Sequence, residues 1–188
     1  MNSGLLFRYA SRLVIKHKPK KVIPFLRKKF KNLNYKHIIR LNLHSQEISN
    51  HVANLAKQKK VRQIIRVFQK KIIRQHHRIC CEGRDQASTI LRKNPRYDVA
   101  FYFKCNLNIA SLRRWLDLKK KVPLVEVKKS LRIRTLLDKT RRHNPLKKMS
   151  DAVLIRTDIL NKKTMVTKMS EEIDKKLISK YGRNFKAR

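Results

Sequence analysis

Val61-Arg62-Gln63-Ile64-Ile65-Arg66-Val67-Phe68-Gln69-Lys70-Lys71-Ile72-Ile73-Arg74 is the stretch that sets the fold class. Val61, Ile64, Ile65, Phe68 and Ile72 recur at the spacing of one helical face. Arg62, Arg66, Lys70, Lys71 and Arg74 fall on the other. Such a helix turns its apolar side to a core and offers its basic side to a polyanion. Upstream, Ile48, Val52 and Leu55 form a second stripe, out of phase with the first by about two residues across the polar run 57–60. The pair is either one kinked helix or two helices joined by a tight turn. Ser45 is placed to cap the start, with Glu47 favourably near the helix N-terminus.

Working outward, Leu5, Leu6, Tyr9, Leu13 and Val14 predict an amphipathic helix, with Arg8, Arg12 and Lys16 on another face. No acid precedes Glu47, and an acid-free, Arg-bearing start has the character of a mitochondrial targeting segment. Residues 16–21 read as an extended basic arm. Pro24 is an allowed first-turn proline for a short helix carrying Phe25, Leu26, Phe30 and Leu33. Downstream, Gly83 marks a turn, and Asp85 or Ser88 can open a short helix ending before Asn94-Pro95. Val99–Lys104 is the best strand candidate, leading towards a helix with Leu107, Leu112, Trp115 and Leu116. Leu131, Ile133 and Thr135 alternate with Arg132 and Arg134, which leaves strand and helix both open. Ser150-Asp151 predicts a cap for a helix with Leu154, Ile155 and Ile159, and Ser170 a final helix stopped by Gly182.

The expected fold is therefore mainly α: a small helical core with extended basic arms and at most a minor β element. Its expected parts are a basic N-terminal arm with an amphipathic helix over 1–44, a helical core over 45–142, and a C-terminal helical extension over 143–188.

The chain has 188 residues, 50 of them Lys or Arg and 12 Asp or Glu, a formal net charge of +38. That charge repels itself unless an anionic partner neutralises it. RNA is the expected partner, because Lys and Arg contacts to phosphate release condensed counterions. The predicted RNA-binding residues are Lys18, Lys20, Lys21, Arg27, Lys28, Lys29, Lys31, Arg62, Arg66, Lys70, Lys71, Arg74, Arg113, Arg114, Lys119, Lys120, Lys121, Arg141 and Arg142. Their clusters carry no base code and point to backbone contacts. No run of about 18 apolar residues is present, so no transmembrane segment is expected.

Three cysteines, Cys80, Cys81 and Cys105, do not make a secreted disulfide framework. His76 and His77 stand four residues before Cys80 and Cys81, but paired short spacings typical of zinc are missing, so no metal site is expected. With Gly4, Gly83 and Gly182 as its only glycines, the sequence holds no glycine-rich phosphate loop, and it holds no G-x-S-x-G or H-E-x-x-H motif. The expectation is no enzyme, no cofactor and no small-molecule substrate.

Leu177-Ile178-Ser179-Lys180-Tyr181-Gly182-Arg183-Asn184-Phe185-Lys186-Ala187 resembles the L-I-x-K-Y-G-x-N-Y-K-A run of the nucleolar protein sixteen family of large-subunit assembly factors. In size, basicity and acid-free start the whole chain resembles the lineage-specific mitochondrial ribosomal proteins. The second resemblance implies a structural constituent of the mitochondrial ribosome in the matrix, bound to ribosomal RNA and neighbouring ribosomal proteins. The first implies an assembly factor that binds pre-rRNA transiently, nucleolar or mitochondrial.

Overall fold

A computed structural model describes residues 1–182 of the chain. The chain is mainly α and divides into two compact units, Met1–Pro95 and Arg96–Arg188.

The first unit carries α1 (Ser3–His17), α2 (Val22–Lys31), α3 (Tyr35–Ile39), α4 (Gln46–Leu55) and α5 (Lys59–Arg74), then a π-helical turn over Gln86–Ile90 where sequence predicted a short helix. Three boundaries have a clear local cause. The Asn2 side chain accepts from the Leu5 amide and starts α1. Ser45 Oγ accepts from the Ile48 amide at 3.2 Å and starts α4. Between α4 and α5 the Lys57 and Gln58 amides turn back to Asn54 and Leu55, which makes two helices rather than one kinked helix.

Leu6, Ala10 and Leu13 of α1, Leu26 and Phe30 of α2, Ile38, Leu43, Ile48 and Leu55, and Val61, Ile65 and Phe68 of α5 are buried together. Residues 1–44, read as a basic arm, thus supply much of this core. Arg8 ties α1 to α4, donating to Leu43 O and Ser49 Oγ, both at 3.0 Å.

The second unit holds a two-stranded parallel sheet. β1 (Phe101–Lys104) pairs with β2 (Val153–Arg156), Phe101 opposite Val153 and Phe103 opposite Ile155. The crossover between them contains α6 (Leu107–Asp117) and α7 (Leu124–Thr140), which pack on each other. α8 (Lys162–Tyr181) follows, capped by Asn161 rather than opening at Ser170. The helix predicted through Leu154 and Ile155 is instead β2. Asp151 is no cap there: it accepts from Tyr97 Oη at 2.5 Å and from Arg96 at 3.1 Å. The assembly-factor resemblance runs through the end of α8, and its 183–187 part lies outside the described residues.

Three carboxylates clamp this unit. Asp98 takes hydrogen bonds from Lys180 and Tyr181, Asp151 from Tyr97 and Arg96, and Asp158 from Arg156. The Lys180 bond holds Asp98 below its ordinary value, the Tyr97 bond does so for Asp151, and the Arg156 bond holds Asp158 down to about 2. The folded state thus favours the ionised forms. Their contribution is full above the ordinary carboxylate value of 3.8 and fades as pH falls through the lowered values. Hydrogen exchange should find the amides of Val153–Arg156 protected at mildly acidic pH and progressively deprotected as pH falls from about 4 to about 2. Undiminished protection at the lower end would show that the clamps do not hold β2.

Candidate functional site

The site is built where the start of α1, the first turns of α5 and residues 82–86 meet. Asn2 and Glu82 form a parallel bridge, with the Ser3 amide donating to Glu82 O and the Glu82 amide to Met1 O, both at 2.9 Å. This bridge sets Gly83 against the first residue of α1. A Cβ at Gly83 would lie 2.2 Å from Ser3 Oγ and 2.6 Å from Gln86 Nε2, so a larger residue would have to push both side-chain ends aside. Ser3 Oγ and the Gln86 amide therefore crowd one point beside the positive end of the α1 dipole.

Arg62, in the first turn of α5, donates to Asp85 Oδ2 at 3.2 Å, and both residues are buried. Its guanidinium lies 5.4 Å from the centre of the Phe7 ring of α1. One ion pair thus fixes α5 and the 83–86 turn to each other, with α1 packed against its cation. Among the described residues both polar atoms of the buried Gln86 amide have no hydrogen-bond partner, and neither do Gln69 Nε2, further along α5, and Ser11 Oγ, further along α1. A buried amide left without a partner is costly, so water or another polar group is the expected neighbour there. Exposed Arg84 adds a cation at the rim of the turn. Together these give a glycine turn, a buried ion pair, an arginine at the rim and an open amide beside an α1 start already capped by Asn2 and Glu82.

The predicted RNA-binding residues are spread over several elements of both units. Lys18, Lys20, Lys21, Arg27, Lys28, Lys29 and Lys31 are exposed around α1 and α2. Arg62 is buried in the pair just described, Arg66 and Lys70 are half-buried, and Lys71 and Arg74 are exposed. Lys70 donates to Asn94 O at 2.9 Å. Arg113, Arg114, Lys119, Lys120 and Lys121 stand exposed at the end of α6 and the turn after it. Arg141 is held by Asp138 and Asn144, and Arg142 is exposed. Sequence reasoning passed over Ser3, Gln69, Gly83, Arg84 and Gln86. Gly83 was the available signal, one of three glycines and set directly before Arg-Asp-Gln.

Among the described residues no three His, Cys, Asp or Glu side chains are grouped as for a metal ion. His76 Nδ1 lies 2.8 Å from Ile72 O, and burial pushes the Cys81 thiol up.

A cytidylate kinase family model matches residues 6–175. The chain belongs to the cytidylate kinase family. A cytidylate kinase of Clostridium botulinum strain Okra is 28% identical over 131 residues, 68% of this chain and 58% of that protein. One from Alkaliphilus oremlandii is 32% identical over 123 residues, 64% and 55% of the two chains. A bifunctional pantoate ligase/cytidylate kinase of Prochlorococcus marinus is 31% identical over 120 residues, 62% of this chain and 23% of that protein. The chain spans less than two thirds of the length of these relatives.

The family overturns the ribosomal expectation. Neither a mitochondrial ribosomal constituent nor an assembly factor is supported, and the expected ribosomal RNA and ribosomal protein partners go with that reading. The expectations of no enzyme and of no small-molecule substrate fail against relatives named as kinases of a nucleotide. The physical reason is that net charge reports a need for phosphate without saying whether the phosphate belongs to a polymer or to a single nucleotide.

Proposed function

We propose that the chain acts as a nucleotide kinase, transferring a phosphoryl group to a nucleoside monophosphate of the cytidylate type. The observation that carries this reading is the family match over 6–175, which runs through Arg62, Gly83–Gln86 and the whole α6–α7 crossover.

The sequence holds no glycine-rich phosphate loop, so in this reading phosphate binding falls to basic side chains. Phosphoryl transfer is mainly positioning and electrostatic stabilisation. The attacking group is an oxygen of the acceptor's own phosphate, which is largely ionised at neutral pH because its second pKa is about 6. No general base is required to remove a proton from it. That oxygen bonds to the terminal phosphorus of the donor, and the bond from that phosphorus to the donor's leaving phosphate breaks. A chain with 12 Asp or Glu is not short of what such a proton-free step needs.

In this reading exposed Arg84 holds an acceptor phosphate oxygen. The Arg62–Asp85 pair keeps the 83–86 turn in place, and the Gln69 and Gln86 amides offer hydrogen bonds to the base. The basic segments around the helical core draw anionic nucleotides inward by their field.

Incubating the purified chain with a nucleoside triphosphate and CMP should yield CDP, resolved by anion-exchange chromatography, with UMP, AMP and GMP as comparisons. Arg84→Ala should lower turnover by about 10²–10³-fold, the scale for removing one donor from a developing charge, while circular dichroism stays unchanged. Absence of any diphosphate product, together with no shift of the Gln86 side-chain NMR signals on adding CMP, would overturn the proposal.

A further inference from the structure

The turn between α6 and α7 is built unlike the other helix connections of the second unit. Lys119 and Lys120 are consecutive non-glycine residues in the left-handed region, at φ 52° and 58°. Lysine adopts that conformation rarely, and strain of this sort persists where the surroundings enforce it. Here the Lys119 amide donates to Leu116 O at 2.8 Å, the Lys120 amide to Trp115 O at 3.0 Å and the Lys121 amide to Leu118 O at 3.2 Å. This network wraps the turn back over α6. It brings the Lys120 ammonium to 5.1 Å from the centre of the Trp115 ring, a cation–π contact. Trp115 is half-buried and is the only tryptophan of the chain. It lies beneath a lysine at the edge of a cationic turn.

The surroundings are strongly one-signed. Residues 106–142 contain twelve Lys or Arg and three Asp or Glu. Arg113, Arg114, Lys119, Lys120, Lys121 and Lys128 are all exposed. A single nucleotide needs few of these charges, whereas a phosphate chain engages many at once.

We propose that this turn, with Trp115 at its centre, is a docking surface for single-stranded RNA, additional to the nucleotide site of the first unit. An aromatic ring beside a run of cations suits a strand whose bases are unstacked: a base displaces the Lys120 ammonium from the ring face, and that lysine with its neighbours takes the flanking phosphates. A duplex keeps its bases stacked and offers the ring nothing. A membrane surface fits poorly, because α7 interleaves exposed Val125, Ile133 and Leu136 with Lys128, Lys129 and Arg132 and does not separate an apolar from a basic face. RNA rather than DNA is the assignment because RNA is the polymer that cells hold mainly as single strands.

The sole tryptophan makes the test local. Titrating the full chain with an oligouridylate of about 16 nucleotides should quench Trp115 emission, with a log–log salt slope near −3.5 if about five phosphates are engaged. The double variant Lys119→Asn, Lys120→Gly removes two charges with residues that tolerate positive φ, so the turn is kept. It should weaken binding about tenfold or more and make the slope shallower by about 1.4. The triple variant Lys18→Ser, Lys20→Ser, Lys21→Ser, in the first unit, should leave the quench in place. RNA binding with unchanged Trp115 emission, an unaffected double variant, tighter binding to an oligodeoxythymidylate of equal length, or a preference for anionic phosphatidylserine vesicles would each overturn the assignment. Phosphorylation of CMP is read separately, so failure of either proposal leaves the other standing.

Discussion

Asp85→Ala is expected to destabilise the first unit by about 3–5 kcal/mol, the cost of stripping the partner from a buried charge. The substitution leaves the Arg62 guanidinium inside, against Phe7, with its carboxylate removed. Water cannot readily replace that carboxylate, because Arg62 is 8% exposed and Asp85 9%. The 83–86 turn should then leave α5, and the amides of Gln69 and Gln86 should lose their placement together. Urea unfolding of the full chain, followed by a probe in the first unit, measures this directly. The double variant Arg62→Met, Asp85→Leu separates charge burial from loss of contact. It removes both ions and keeps volume, so it should recover most of the lost stability. It should not recover nucleotide binding if the ion pair orients the turn. A loss below about 0.5 kcal/mol for Asp85→Ala, the scale of an ordinary surface substitution, would show that the pair holds nothing in place.

How much of this was legible in the sequence depends on the range of each interaction. The helical nature of 61–74, the Ser45 cap and the strand at 101–104 rest on neighbours within a few positions, and periodicity or side-chain chemistry reports them. β2 was misread because its partner lies about fifty positions away in β1, and Ser-Asp before an apolar run is the ordinary signature of a helix start. Asp151 obeys a different demand, the tyrosine and arginine that β1's approach delivers to it. Arg62 was assigned outward for the same reason. A helix wheel cannot know that Asp85 arrives from 23 positions on to receive it. The candidate site was the least legible part. Its parts, Gly83, the Gln86 amide and the Arg62–Asp85 pair, come together only where α1, α5 and the 82–86 segment meet. Composition dominated the reading instead, and it misdirected the function because a cation excess describes the ligand's charge and not its size.

Phe68→Ala is expected to cost about 3–5 kcal/mol, and its neighbour on the next face should cost almost nothing. The Phe68 ring is 4% exposed and meets Phe30 of α2 edge-on, centroids 5.6 Å apart at 90°. Phe30 in turn meets Tyr9 of α1 at 6.1 Å. Truncating Phe68 therefore opens a void at the seam of α1, α2 and α5, where no single helix can shift to fill it without disturbing the other two. Val67, one residue earlier, is 71% exposed, so Val67→Ala should change stability by less than about 0.5 kcal/mol. The pair tests the helix phase that the sequence stripe implied and the structure adjusts: Val61, Ile65, Phe68 and Ile73 buried, with Ile64 and Ile72 only half-buried. Chemical unfolding of both variants reads the outcome. A silent Phe68→Ala beside a damaging Val67→Ala would mean that α5 is rotated about its axis, and the Arg62–Asp85 pair, which depends on the same rotation, would fall with it.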